Sequence, residues 1–296
     1  MSRPLARVAA FSASLMLGAC QPAVLHPMGS VGSAEKMILI DSIIIMLTIV
    51  VPTIAATFAF AWWFRASNRR ARYLPHFAYS GRIEMIVWCI PLLTIMLLGG
   101  VAWIGSHELD PARPLSSDKP ALEIQVVSLD WKWLFIYPAQ HIASVNRLVV
   151  PAGVPLHFSL TSASVMNAFF VPQLGSMIYV MNGMTSYLYL RAESPGTFQG
   201  LSSHYSGDGF SDMHFETQAV PANEFASWAG NAAKSGPVLD AASYARLEQQ
   251  SANVTPFTFS QVDPALFNRI VSQNLPPGPG PGETAHMSAQ AAQKEP

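Results

Sequence analysis

Four side chains in the second half of the chain could hold a redox metal between them: His157, His204, Met213 and His214. Imidazole and thioether both bind copper, but the soft thiolate that stabilises and tunes cuprous copper is missing. The only cysteines are Cys20 and Cys89, so residues 90–296 contain none. A disulfide framework and a thiolate metal site are thereby excluded from that half. Ser202 and Ser206 stand on either side of His204. Their hydroxyls are hard donors that stay protonated near neutral pH. His157 and His214 fall on the polar side of alternating strands, where solvated surface is expected. No resident metal is expected in this chain.

The other candidate is Glu84, within G-R-I-E-M-I-V-W (residues 81–88) at the edge of a long apolar run. A carboxylate there is costly unless it is paired or faces a wet path. It is either an interfacial anchor, paired with Arg82, or a group placed to take up protons. Asp41, near the outer end of the preceding apolar run, reads as a solvated helix end.

Half of the residues are hydrophobic and 12% are charged, a composition that points to membrane segments. Residues 42–64 and 85–106 carry no charge. Each run exceeds the roughly 20 residues needed to cross a ~30 Å hydrocarbon layer. They predict transmembrane helices over 38–64 and 83–106, kinked at Pro52 and Pro91, with Trp62, Trp63, Trp88 and Trp103 near the interfaces. The loop between them, 65–82, holds five arginines and no acid. That bias places the loop in the cytoplasm and both chain ends outside.

Residues 1–19, with Arg3 and Arg7 ahead of a short apolar core, read as an export signal. L-G-A-C (17–20) resembles the lipobox of bacterial lipoproteins, with Cys20 as the lipidated residue and 20–37 as an external linker. Residues 1–106 sum to +5 and residues 107–296 to −6. No basic stripe marks the folded half, which argues against nucleic-acid binding.

After a linker at 107–120 the period shortens. Short β-branched and aromatic runs, separated by Pro-Ala-Gly, Asn-Gly and Pro-Gly turns, predict an all-β sandwich or barrel over 121–221. Phe225, Trp228, Ala229 and Ala232 then share a helical face. Asp263 followed by Pro264 reads as an N-cap and first helical position. A helical extension is expected over 222–273 and disorder over 274–296, where proline and glycine alternate.

Taken together these residues resemble subunit II of the haem-copper respiratory oxidases. The similarity is carried by the two spans with their basic loop, by D-W-K-W-L-F-I-Y-P (130–138), by S-V-M-N-A-F-F-V-P-Q-L-G (164–175) and by residues 200–213. It covers nearly the whole chain. It implies a membrane-anchored all-β protein: a transmembrane helical hairpin, then a periplasmic cupredoxin-like Greek-key domain with a small C-terminal helical extension. In the cytochrome c oxidase branch the second loop reads C-x-E-x-C-x3-H-x2-M, with a histidine supplied earlier, and holds a two-copper centre. The corresponding positions here are Asn167, Ser202, His204, Ser206, Phe210 and Met213, and only Met213 matches. Asn167 and the Ser-x-His-x-Ser loop look like the quinol oxidase branch, whose domain has lost its copper.

That resemblance implies a non-catalytic subunit of a proton-pumping ubiquinol oxidase complex in the bacterial inner membrane. The expected partners are a large haem-copper catalytic subunit I, a subunit III, a small subunit IV and membrane lipid. Haems and copper would belong to the catalytic partner, with none in this chain, and ubiquinol would be the substrate of the complex. Glu84 would stand at the mouth of a proton channel. Trp131 and Trp133 would be packing or docking surface. Phe58, Phe60, Met46 and Met96 read as lipid-facing or helix-packing groups rather than quinone contacts. The loop itself would be kept for its fold, with Gly200, Gly207 and Gly209 supplying turns and Phe210 filling the space of an imidazole. Two other readings stand beside it. A copper-containing cytochrome c oxidase subunit is opposed by the missing thiolates. A stand-alone membrane-tethered periplasmic binding lipoprotein leaves Glu84 and the two kinked spans unexplained.

Overall fold

The computed structural model describes residues 23–72 and 74–280. The export signal, the lipid attachment at Cys20 and the tail from 281 onward lie outside the described residues. The chain divides into a helical unit, Ala34–Asp110, and a second unit made of Met1–Ser33 and Pro111–Pro296.

Helix α1 spans Ser30–Trp63, 34 residues, and α2 spans Gly81–Glu108, 28 residues. At ~1.5 Å per residue they are about 51 and 42 Å long, more than a ~30 Å hydrocarbon layer requires. The apolar stretch of neither helix is buried within the molecule, as expected when lipid is the solvent. Both helices begin ahead of the runs that predicted them. Charge keeps Glu35 and Lys36 out of hydrocarbon but does not keep them out of a helix. Thr48, Thr53, Thr57 and Thr94 turn their hydroxyls onto carbonyls four residues earlier, which satisfies polar groups inside an apolar span.

Ten strands form the body of the second unit: β1 (Leu122–Leu129), β2 (Lys132–Tyr137), β3 (Ile142–Val145), β4 (Arg147–Pro151), β5 (Leu156–Ser162), β6 (Asn167–Val171), β7 (Gly175–Val180), β8 (Ser186–Leu190), β9 (Gly196–Ser202) and β10 (His214–Val220). Strands β3, β2, β1, β5 and β8 make one sheet, and β4, β10, β9, β6 and β7 the other. The pairs β1–β5 and β4–β10 are parallel; the remaining neighbours are antiparallel. This is a cupredoxin-like sandwich. Its interior is aromatic: Trp133 meets Phe169 at 5.4 Å, Phe135 meets Phe215 at 5.1 Å, and Phe169 stacks on Phe215 at 5.2 Å. Such pairs add to what their area alone contributes.

Every residue of β2 is buried, so it shows no polar alternation. Trp133, Phe135 and Tyr137 face the interior between the sheets. Leu134 and Ile136 face a second core, together with Tyr244, Leu247, Leu266, Phe267 and Ile270. The C-terminal extension therefore covers the outer face of the first sheet. Expected as helical, it also holds short strands. Helices α3 (Ala222–Ala232), α4 (Ala241–Leu247) and α5 (Leu266–Val271) alternate with β11 (Val238–Leu239), β12 (Phe257–Phe259) and β13 (Gln261–Val262). Strand β12 joins the edge of the first sheet through β3. Asp263 does not cap α5. Its Oδ1 accepts from Ala265 N at 2.9 Å, one turn ahead of a helix that starts at Leu266.

Two further expectations change. The segment ahead of α1 is no free linker. Met28 N donates to Gln173 O at 2.7 Å, Glu193 N to Met28 O at 3.0 Å, and Gly32 N to Leu174 O at 2.9 Å. At the other end, residues 274–280 dock rather than trail away, because Gly278 N reaches Ala163 O and Gly280 N reaches Asp130 Oδ2, each at 2.9 Å.

Phe267 is 4% exposed in the second core. Truncating a buried phenylalanine costs about 3–5 kcal/mol. Phe267→Ala in the full chain is expected to lower stability by that amount in denaturant unfolding and to open residues 233–278 to protease before the sandwich.

Candidate functional site

The positions that a metal loop would use come together at one end of the sandwich. Asn167 opens β6, Ser202 closes β9, and Met213 precedes β10. Ser202 Oγ lies 3.1 Å from Asn167 Oδ1 and 3.2 Å from His204 O. Asn167 Nδ2 donates to Ser128 Oγ on β1 at 2.7 Å. Ser202 N donates to Met213 O at 3.1 Å, and Ser206 Oγ sits 3.9 Å from Met213 Sδ. Asn167, Ser202, Ser206 and Met213 are all buried. Each of these hydrogen bonds contributes about 0.5–1.5 kcal/mol, and leaving one of the groups unpaired would cost about 1–3 kcal/mol.

His204 and Phe210 do not join this cluster through their rings. The His204 imidazole meets Tyr179 edge-on at 5.8 Å. Phe210 packs on the exposed Tyr205 at 5.6 Å, so its ring rests on the surface side of the loop. His157, expected to be solvated, is only partly so. Its side chain is 17% exposed, shares a 2.7 Å contact with Glu123 and stacks on Tyr189 at 4.3 Å. Cross-strand pairing sets this, since Glu123 lies directly opposite His157 on β1 and Tyr189 opposite it on β8. His214 is exposed. Among the described residues no three His, Cys, Asp or Glu side chains converge as a metal would need. Amide, hydroxyl and a single thioether do not fit a dinuclear copper centre, which requires bridging thiolates.

Trp131 locks the loop in place. It sits in the β1–β2 turn at φ +63°, a conformation costly for a bulky residue unless its surroundings enforce it. Its Nε1 donates to Ser206 O at 3.0 Å, and its ring covers Gly209, where a Cβ would come within 2.4 Å of a ring carbon. Gly207, at φ +107°, does supply the turn expected of it. Gly200 does not. It lies within β9, and its missing side chain makes room for the Phe215 ring. Trp131 and Trp133 are both buried, so they are packing and not docking surface.

A buried charge cluster adjoins this turn and was not foreseen. Lys132, 1% exposed, donates to Gln249 O and Ser251 Oγ, each at 2.7 Å, and to Asp130 O at 3.2 Å. Burial lowers its pKa to about 8, against the opposing pull of Asp130. Asp130 accepts from Ser164 Oγ and Gly280 N. Beside it Glu248 has one carboxylate oxygen buried without a partner. A charged residue inside a run such as D-W-K-W is the signal available in the sequence, but its partners come from residues 248–280.

Glu84 stands in the first turn of α2. Trp88 Nε1 donates to its Oε2 at 3.2 Å, and among the described residues it makes no ion pair with Arg82.

A two-sheet sandwich carrying amide and hydroxyl groups at a metal loop's positions defines a copper-protein fold with an altered centre. Comparison with known proteins agrees with that class. Residues 118–220 match the family described as cytochrome C oxidase subunit II, periplasmic domain, and residues 233–278 match the COX aromatic rich motif. The cytochrome bo(3) ubiquinol oxidase subunit 2 of Pseudomonas aeruginosa is 44% identical over 95% of this chain and 85% of its own length. The ubiquinol oxidase subunit 2 of Acetobacter aceti is 45% identical over 90% of this chain and 88% of its own. The periplasmic domain of subunit II of Bradyrhizobium japonicum cytochrome oxidase shares 27% identity over 41% of this chain and 98% of that one, with a TM-score of 0.38. The chain belongs to the subunit 2 family of ubiquinol oxidases, membrane-anchored members of a respiratory oxidoreductase complex.

Burial, reinforced by the charge of Asp130, raises the Glu248 carboxyl from 4.5 to about 7. The folded chain thus holds this proton more tightly than the unfolded chain does. The resulting stability is complete below about pH 4.5 and is lost as pH rises through about 7. Glu248→Gln is expected to match the natural chain in thermal midpoint near pH 4.5 and to exceed it increasingly toward pH 8. Parallel curves would show that the carboxyl is not buried in this way.

Proposed function

We propose that this chain is the non-catalytic subunit II of a proton-pumping ubiquinol oxidase in the bacterial inner membrane. It would hold a large haem-copper catalytic subunit in place, beside a subunit III and a small subunit IV. The observation that carries the reading is the buried hydrogen-bonded set Ser128, Asn167, Ser202, Ser206 and Met213, whose polar groups are spent on one another. With no copper centre in this chain, an external protein donor has no port here. Electrons enter the complex from a quinol dissolved in the bilayer, a reading supported by relatives that are named ubiquinol oxidases. Haems and copper reside in the catalytic partner.

The topology in this reading is a periplasmic N-terminus lipidated at Cys20, two spans, a cytoplasmic loop at 65–82 and a periplasmic sandwich. It draws on the length and polarity of α1 and α2 and on the arginine-rich loop. Glu84 then lies at the cytoplasmic end of α2. A carboxylate oriented by the Trp88 indole can accept a proton from cytoplasmic water and release it toward the interior of the complex. Trp88 acts there as a positioning residue.

Purification under mild detergent is expected to bring down a large many-helix subunit with this chain, and isolation as a lone chain would contradict the proposal. In the assembled oxidase, Glu84→Gln is expected to slow turnover by about tenfold, the effect of about 1.4 kcal/mol added to a proton-transfer barrier. Unchanged turnover would remove Glu84 from the proton path.

A further inference from the structure

The loop between the two helices also borders an open hollow. A cavity of about 620 Å³ lies within the helical unit. Its walls include Phe60 and Phe64 at the end of α1 and Leu74 and Phe77 from the loop, and Arg65 and Arg72 line it as well. Leu74 and Phe77 are more than half exposed. Apolar side chains of that size, displayed by a loop with five arginines, need an apolar partner that tolerates cations beside it.

The two guanidiniums have capacity left for an anion. Arg65 spends one N–H on Ser67 Oγ at 3.1 Å and one on Trp62 O at 2.9 Å, and its charge lies 4.9 Å from the Trp62 ring centre. Three of its five donors remain. Arg72 has no hydrogen bond or ion pair among the described residues, and residues 65–82 contain no acid to neutralise either group. A phospholipid answers both requirements, with acyl chain against phenylalanine and leucine and phosphodiester on arginine, a pairing that guanidinium geometry favours. A free phosphate would leave the apolar wall uncovered.

We infer that this cavity is a binding site for an anionic membrane phospholipid, with the headgroup phosphate held by Arg65 and Arg72. The inference rests on the proposed topology, which sets the loop at the cytoplasmic face of the membrane. Arg72 is the cleaner probe, because Arg65 also serves Ser67 and Trp62.

Native mass spectrometry of the intact complex in mild detergent, titrated with phosphatidylglycerol or phosphatidylcholine, tests it. Retention of phosphatidylglycerol in preference to phosphatidylcholine is expected. Arg72→Gln should weaken phosphatidylglycerol retention about fivefold, the usual effect of one cation at an anionic surface, while Arg72→Lys should keep most of it. Equal retention of the two lipids overturns the site. So does unchanged retention in Arg72→Gln, or the absence of any retained lipid because a neighbouring subunit fills the cavity. Should Arg72→Gln fail to assemble, the lipid preference of the natural chain and of Arg72→Lys decides. The topology is tested separately with His76→Cys. Its labelling by a membrane-impermeant maleimide from outside the cell would overturn the orientation, while the lipid preference is read on its own.

Discussion

The interaction on which the domain depends is the buried polar bridge Ser202–Asn167–Ser128. Asn167 and Ser202 belong to one sheet of the sandwich and Ser128 to the other. A buried amide or hydroxyl is costly unless it is paired. Pairing across the gap therefore pins the two sheets together at the end where the loops gather. Met213 and the backbone of residues 202–213 close over that bridge, and Trp131 fastens the closure from the opposite turn. A metal ion between soft ligands would clip the same strands together. Here hydrogen bonds do so, and a network of satisfied hydroxyls offers no redox chemistry.

The rest of the domain is held by apolar packing and by buried charge. The sandwich core is aromatic, built on Trp133, Phe135, Phe169 and Phe215. The extension covers the outer face of the first sheet and seals the β1–β2 turn through Lys132, Asp130 and Glu248. Lys132 and Asp130 are held in place by backbone carbonyls, the hydroxyls of Ser251 and Ser164 and the amide of Gly280. The closing segment thus reaches from residue 248 to residue 280 and ties Gly280 to the first hairpin.

Much of this was legible in the sequence. Two uncharged runs gave the spans, and strand alternation gave β5 and β10. The missing thiolates bear on the loop at once, because ligand softness is a property of residue type and needs no coordinates. What escaped was set by tertiary partners. β2 reads as continuous burial because the extension covers its second face. His157 looks solvated on alternation alone, yet Glu123 and Tyr189 arrive from neighbouring strands. Gly200 resembles a turn glycine but makes room for Phe215 within a strand. The docked residues 274–280 are too rich in proline and glycine to signal packing, since apart from Leu275 their contacts use the backbone.

The claim at the centre of this account is that electrons reach the complex through the membrane and not through this domain. Oxygen uptake by the intact complex, with ubiquinol or with reduced cytochrome c as the donor, tests it most directly. Rapid uptake with ubiquinol and background uptake with cytochrome c is the expected result. Cytochrome c-driven turnover comparable to that with quinol would contradict it.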